Sequence, residues 1–354
     1  MKEIKQFKQI IKIKYAWNVF KTIMKGNLGP GPECLLLEEK IKKLIDLKYC
    51  FITTSGTTGL IMAIESLNLP KGSTILFPAY TFLSAANAAR FLGYKIKLVD
   101  INPYTLCMNP DLIKITGNVS CIIFVSHNGY NGSDLNKVRQ ICNIHNIPMI
   151  EDCCQSIAIK NAGKTGDIGI FSFSYPKLIT GGQGGAVVTD DDKIAKRLEQ
   201  IRDHGGNWRK DRLHQYIGVN FRYTDIQASY ILSQLKDIKL LLNKRWKLFY
   251  YYYINDIKPY RFVPYVSEKE SGWMVIYRSK KADQIIEALK KENIQAVKYY
   301  KPISYNPPYK TKIKYPVAEQ IYKEIIYLPS SLNLKRRKIK RICRIIKRVE
   351  EKDE

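Results

Sequence analysis

The chain has 354 residues, enough for one large core or for a large and a smaller domain, and its 45% hydrophobic and 25% charged residues exclude a disordered or fibrous polymer. Its longest apolar runs, such as residues 121–126, fall well short of the roughly 20 residues a membrane span needs, so no transmembrane helix is expected. The formal net charge of +26 would attract nucleic acid, anionic lipid or a polyphosphate, but the lysines are spread along the whole chain, so no nucleic-acid partner is expected.

The first twenty residues are positive, with apolar side chains interrupted by lysines and no small-residue cleavage site after them; they do not read as a secretory signal, and a cytoplasmic protein is expected. From about Glu33 helix-like and strand-like segments alternate. CLLLEEKIKKLIDL is amphipathic, YCFITT is a short strand, TTGLIMAIESL is a helix entered through Gly56, and STILFPA is again a strand. LSAANAARFLG reads as a helix ending at glycine, and KIKLVDI, CIIFVS and IPMIED are apolar strands flanking the helix DLNKVRQICNIHN. Such alternation predicts a mostly parallel sheet covered by helices, with ligands expected just beyond the carboxyl ends of the strands.

TDIQASYILSQLKDIKLLLNKRWKLFYYYYINDI then reads as one long helix or two in series. Beyond it RFVPYV, GWMVIYRS and AVKYYK are read as strands, and KADQIIEALKKEN and YPVAEQIYKEIIYL as helices. The change of pattern divides the chain near residue 245 into a large domain, 1–245, and a small α+β domain, 246–354. In the final basic run Ile339, Ile342, Ile345, Ile346 and Val349 recur at helical spacing. It is read as an amphipathic helix docked on the core, with contact to a membrane surface or nucleic acid as the other possibility.

Four strand ends carry candidate chemistry. In SGTTGL, free backbone N–H groups and the hydroxyls of Ser55, Thr57 and Thr58 at a strand-to-helix turn would hold a dianionic phosphate, although Ser and Thr are also ordinary N-caps. In MIEDCCQS, Glu151 and Asp152 follow an apolar strand, where a carboxylate needs a cationic partner such as a protonated pyridine nitrogen. Tyr80 and Phe82, in the turn after another strand, could stack on a flat ring. In FSFSYPKLITGGQGG, Lys177 could condense with an aldehyde, and the glycines after it would let the backbone close around that site. Together these features ask for a flat, cationic, phosphorylated aldehyde, which is pyridoxal 5'-phosphate. The eight cysteines show no metal-ligand spacing, so no metal or disulfide is expected, and Cys153 and Cys154 are read as core thiols.

In the order and spacing of these motifs, from about Gly26 to about Pro329, the sequence resembles the DegT/DnrJ/StrS family of pyridoxal-phosphate-dependent sugar aminotransferases, of the aspartate aminotransferase fold, type I. The resemblance implies that Gly56, Thr57, Thr58 and Ser172 hold the cofactor phosphate, that Phe82 stacks on the ring, that Asp152 pairs with the ring nitrogen, and that Gln155 touches the ring hydroxyl. It implies that Lys177 is the catalytic lysine, and that Asn220, in IGVNFRYTDIQ, reaches the phosphate bound by a neighbouring subunit, hence a homodimer with shared active sites. Ser174, Leu178, Gln183 and Ser304 depart from the usual pattern and bear on the substrate rather than the core chemistry. The reaction implied is amino transfer from L-glutamate to a nucleotide-linked keto-deoxysugar. The chain length between Lys177 and the last glycine pair resembles members acting at C4, and Arg202 or Arg222 are candidates for the diphosphate. Cyclitol aminotransferases would share every cofactor residue and differ in the ketone accepted; a non-catalytic protein using its basic surface on the same fold would bind anionic surfaces without transamination.

Overall fold

The computed structural model describes residues 3–129, 132–157, 159–206, 213–255 and 272–351. Two helices, α1 (Ile13–Met24) and α2 (Pro32–Ile45), precede β1 (Tyr49–Thr53), α3 (Gly56–Ser66), β2 (Thr74–Pro78), α4 (Ser84–Phe91) and β3 (Lys95–Val99). There follow β4 (Val119–Val125), α5 (Ser133–Ile144), β5 (Met149–Asp152), β6 (Ile168–Ser172), β7 (Gly185–Thr189) and α6 (Asp192–Arg202). These strands form a seven-stranded sheet in the order β1-β7-β6-β5-β4-β2-β3. It is parallel from β6 through β3, and β7 runs antiparallel to both its neighbours, β1 and β6. Every residue of β5, β6 and β7 is buried, as expected of central strands covered on both faces.

The long helical segment is two helices, α7 (Asp225–Leu235) and α8 (Ile238–Ile254), parted at Lys236 and Asp237. The side chain of Asp237 accepts hydrogen bonds from Lys12, Lys14 and Tyr15, so it binds the chain's beginning to the break. Beyond α8, β8 (Ile276–Arg278), α9 (Ala282–Lys291), α10 (Pro316–Glu324), β9 (Ile325–Tyr327) and α11 (Arg336–Glu350) build a smaller α+β unit around a two-stranded sheet. RFVPYV lies outside the described residues. The helix expected to run to Leu328 stops at Glu324, because Ile325, Ile326 and Tyr327 pair with β8 instead. AVKYYK contributes only an isolated bridge, Val297 to Tyr327, in place of a strand. Local pattern misread both because cross-strand pairing, not helical periodicity, sets their conformation.

We propose the domain division near residue 245 on the strength of α8, which gives Leu241 to the core of the large sheet and Leu248 and Tyr252 to the core of the small unit. The N-terminus crosses that division, since Ile4 bridges to Ile294 and packs in the small core. α11 buries Ile339, Ile342, Cys343, Ile345 and Ile346 against α8 and α9, so the basic tail is a docked helix.

Candidate active site

The carboxyl ends of β5 and β6 and the amino end of α3 meet at one place. β5 ends in Glu151 and Asp152, both buried, and strand alternation turns them to opposite faces. Glu151 accepts from the Cys153 thiol at 2.9 Å and from the Thr165 and Gly166 amides at 3.2 and 3.5 Å, so it is spent on holding the loop before β6. Asp152 accepts from the Cys154 amide at 3.0 Å, and burial raises its pKa against the opposing pull of that hydrogen bond and of Lys177. A buried carboxylate with so little protein compensation asks for a cation.

Gln155 sits three residues on, its Oε1 accepting from the Asn128 amide at 2.6 Å and its Nε2 donating to the Tyr300 hydroxyl at 3.3 Å. Phe82 is exposed and its ring centroid lies 6.1 Å from that of Tyr300, which places it at the mouth of the same site. Tyr80 is buried against His127, with ring centroids 5.5 Å apart, and takes a packing role.

The start of α3 is capped by its own side chains: the Thr58 amide donates to Ser55 Oγ at 3.1 Å and the Ser55 amide donates to Thr58 Oγ1 at 2.9 Å. The hydroxyl of Thr58 therefore shapes the turn, while the Gly56 and Thr57 amides, at the first turn of a helix, have no intrahelical partner. A Cβ on Gly56 would stand 2.9 Å from Cys154 Sγ and 3.2 Å from Ser172 Cβ, so glycine is what lets the helix start press against the end of β6. The Ser172 hydroxyl, beside it, donates to Ser174 Oγ at 3.2 Å and accepts from the Ser174 amide at 3.3 Å. A helix N-terminus with an adjacent hydroxyl is a cradle of the right chemistry for a phosphate.

Lys177 is 9% exposed, and its Nζ lies 4.1 Å from the centre of the Trp273 ring. Burial lowers its pKa, outweighing Cys154 and Asp152, which raise it, and Arg245 lowers it further. Arg245, itself buried, donates to the carbonyls of Gly272 and Trp273, and the Trp273 indole donates to the Pro176 carbonyl at 2.6 Å, so the small unit fixes the lysine loop from outside the sheet. From the N-terminus Gln9 donates to the Lys177 carbonyl at 2.8 Å. The glycines after Lys177 make close packing possible: a Cβ on Gly185 would meet the Ser55 carbonyl oxygen at 2.5 Å, so that glycine brings β7 against the α3 cap, and a Cβ on Gly184 would stand 2.7 Å from the Tyr223 hydroxyl.

The structure thus brings Asp152, Gln155, Phe82, Gly56, Thr57, Thr58, Ser172 and Lys177 to one region. Asn220 is exposed, pairs across a bridge with Asp203 and accepts from Arg222 Nε at 3.0 Å, and it is not joined to that cluster within the chain. Arg202 is committed to Glu38 and stacks 5.2 Å over Phe51, whereas Arg222 lies beside Asp203 at 3.3 Å. Sequence reading missed Asn128, Trp273, Tyr300 and Arg245. Asn128 was within reach, because it follows the carboxyl end of β4, where ligands of such sheets gather. The other three come from the small unit or the helix leading to it, and no local signal marks them.

The fit to pyridoxal phosphate is therefore good: a cradle only glycine permits, a buried carboxylate with no ion pair among the described residues, and a buried amine whose pKa burial lowers. The model of the DegT/DnrJ/EryC1/StrS aminotransferase family matches residues 11–347. The chain belongs to that family. It is a pyridoxal-phosphate-dependent aminotransferase. It is 28% identical, over 96% of its length and 97% of the relative's, to the UDP-2-acetamido-2-deoxy-3-oxo-D-glucuronate aminotransferase of Pseudomonas aeruginosa. It is 30% identical, over 90% of each chain, to the dTDP-3-amino-3,6-dideoxy-alpha-D-galactopyranose transaminase of Aneurinibacillus thermoaerophilus. Among solved structures it resembles NtdA of Bacillus subtilis with bound cofactor PMP, at TM-score 0.86 and 25% identity, covering 95% of this chain and 83% of that one.

Two outcomes follow for this aminotransferase. Gly56→Ala should keep the fold and weaken cofactor binding about tenfold or more, ~1.4 kcal/mol, in an absorbance titration; unchanged affinity would remove the cradle from the site. For Lys177 the sign is set by a pKa below the ordinary 10.5. Between the depressed value and 10.5 the unfolded chain binds more protons, so this residue makes apoprotein stability rise with pH across that window. Lys177→Met apoprotein should melt above wild type at neutral pH, with the gap closing as pH nears 10.5, in calorimetry; a variant that melts lower throughout contradicts the burial argument.

Proposed function

We propose that the chain transfers the amino group of L-glutamate to a nucleotide-linked keto-deoxysugar. The observation that carries this reading is the meeting of buried Lys177 and buried Asp152 beside the Gly56 and Thr57 amides at the start of α3, in a chain of this family. Pyridoxal phosphate, when bound, supplies an electron sink for the pair left behind as a proton departs. The Gly56 and Thr57 amides and the Ser172 hydroxyl would hold its phosphate, and Phe82 and Gln155 would orient its ring. Asp152 would keep a proton at the ring nitrogen. Lys177, its pKa lowered by burial, would take the proton from the donor's α-carbon and return it two atoms away, across the intervening nitrogen, then reverse the transfer for the sugar.

The enzyme proposed is a cytoplasmic homodimer in which Asn220 completes the phosphate site of the neighbouring subunit. Its exposure, and its separation from the cluster of its own chain, support that reading. Of the two arginines we favour Arg222 for a diphosphate, since its pairing with Asp203, at 3.3 Å, is the looser one and Arg202 is held by both Glu38 and the Phe51 ring. For the ring position we propose C4, on the spacing after Lys177; the two relatives' names carry position 3, and experiment can separate the two.

The test is a half-reaction. Protein converted with glutamate and freed of donor is offered dTDP-, UDP- and GDP-linked 3-keto and 4-keto sugars, and products are read by mass spectrometry. An aminated 4-keto sugar is expected, with turnover abolished in Lys177→Ala. Amination of a 3-keto sugar alone would overturn the position. A competent amino form that ignores every nucleotide sugar and aminates a cyclitol ketone would overturn the substrate class.

A further inference from the structure

α1 turns its apolar side to solvent. The helix packs on α7 through Tyr15, Asn18 and Thr22: Asn18 Nδ2 donates to Ser233 Oγ at 2.6 Å, and the rings of Tyr15 and Tyr230 lie 6.0 Å apart edge to face. One side of a helix is thereby used, and residues at Ile13, Trp17, Phe20 and Met24 fall on the opposite side by the i, i+4, i+7, i+11 spacing. They are 89%, 53%, 48% and 69% exposed. Trp17 and Phe20 stack on one another at 5.1 Å, so the aromatic pair forms a ready-made plateau. Water-facing stripes of this kind mark an interface.

The charge around the stripe is of one sign. Along its flank runs a groove between α1, α2 and α7 whose floor is leucine and isoleucine and whose rim carries Lys21, Lys25, Lys40, Lys43 and Lys236. All five are exposed, and among the described residues none pairs with a carboxylate. Glu33 is the one acid lining the groove; Glu39 is paired with Lys42, and Asp237 is taken by Lys12 and Lys14. In a two-fold contact made through this face, the lysine rim would meet its own copy. An anionic bilayer offers the opposite: apolar depth for the aromatics and a negative surface for each lysine. α11 has basic residues too, but its isoleucines are buried, so of these two helices α1 is the one with apolar side chains to insert.

We propose that the α1 stripe, with its lysine rim, is a docking surface for an anionic phospholipid bilayer, on which the enzyme sits peripherally with α1 in the interface plane. The surface is separate from the cluster around Lys177, so it stands or falls independently of the sugar substrate.

The experiment is flotation of the full-length holoenzyme with vesicles of phosphatidylcholine alone or of equal parts phosphatidylcholine and phosphatidylglycerol, at low and high salt. The holoenzyme should float with the anionic vesicles at low salt, and high salt should release it. The double variant Trp17→Glu/Phe20→Glu should partition about tenfold less or weaker while keeping its cofactor absorbance. Lys21→Gln/Lys25→Gln should lose anionic selectivity, which keeps the proposal open to refutation even if the double variant misfolds. Absence of flotation with both vesicle types overturns it, as does flotation unaffected by the substitutions. A fall in the oligomer mass of the aromatic variant by light scattering, with no vesicle binding by wild type, would assign the stripe to a second copy instead.

Discussion

The constraint on which this structure turns is the cost of keeping an amine dry. Lys177 is enclosed by the sheet end, by Cys154 and by Trp273, and burial outweighs the attraction of Asp152, so its pKa lies below that of a free lysine and the amine gives up its proton more readily. Asp152, likewise, is held in a place that raises its pKa. Neither group suits a stable apoprotein; both suit a ligand bringing a carbonyl to one and a cationic nitrogen to the other. Perturbed groups of this kind gather at functional sites because the ligand, not the fold, completes them.

Holding the two groups requires both parts of the chain. The large sheet places Asp152 at the end of β5 and Ser172 at the end of β6, one strand apart, and α3 starts close beside them because Gly56 has no side chain. The small unit then closes the lysine's other side, as Arg245 fixes the Trp273 backbone and the Trp273 indole holds the Pro176 carbonyl. Even the N-terminus takes part, running from the small core at Ile4 past the Lys177 carbonyl at Gln9 to the α7–α8 break at Asp237. Motion of the small unit against the sheet would therefore be felt first at the lysine.

Much of this was legible in the sequence, for a physical reason. Strand–helix alternation and the rule that ligands gather at strand ends are local signals, and Gly56, Asp152, Gln155, Ser172 and Lys177 all sit at such ends. The second task of Thr58, whose hydroxyl caps its own turn, and the packing of Gly184 and Gly185 on Tyr223 and Ser55 were less legible, the glycine contacts because their partners lie far away in sequence. Trp273, Tyr300 and Arg245 left no trace in their surroundings because their meaning lies wholly in what they face across the fold. The strand β9 was mistaken for helix because Ile325–Tyr327 continues a helical apolar period that β8 then overrides.

The central claim is that the cofactor's carbonyl is carried by the buried amine of Lys177, and covalent mapping tests it most directly. Holoenzyme reduced with borohydride, digested and examined by mass spectrometry should carry the cofactor's mass on the peptide containing Lys177 and on no other. Label on a different lysine, or none on a protein that retains transaminase activity, would contradict the account.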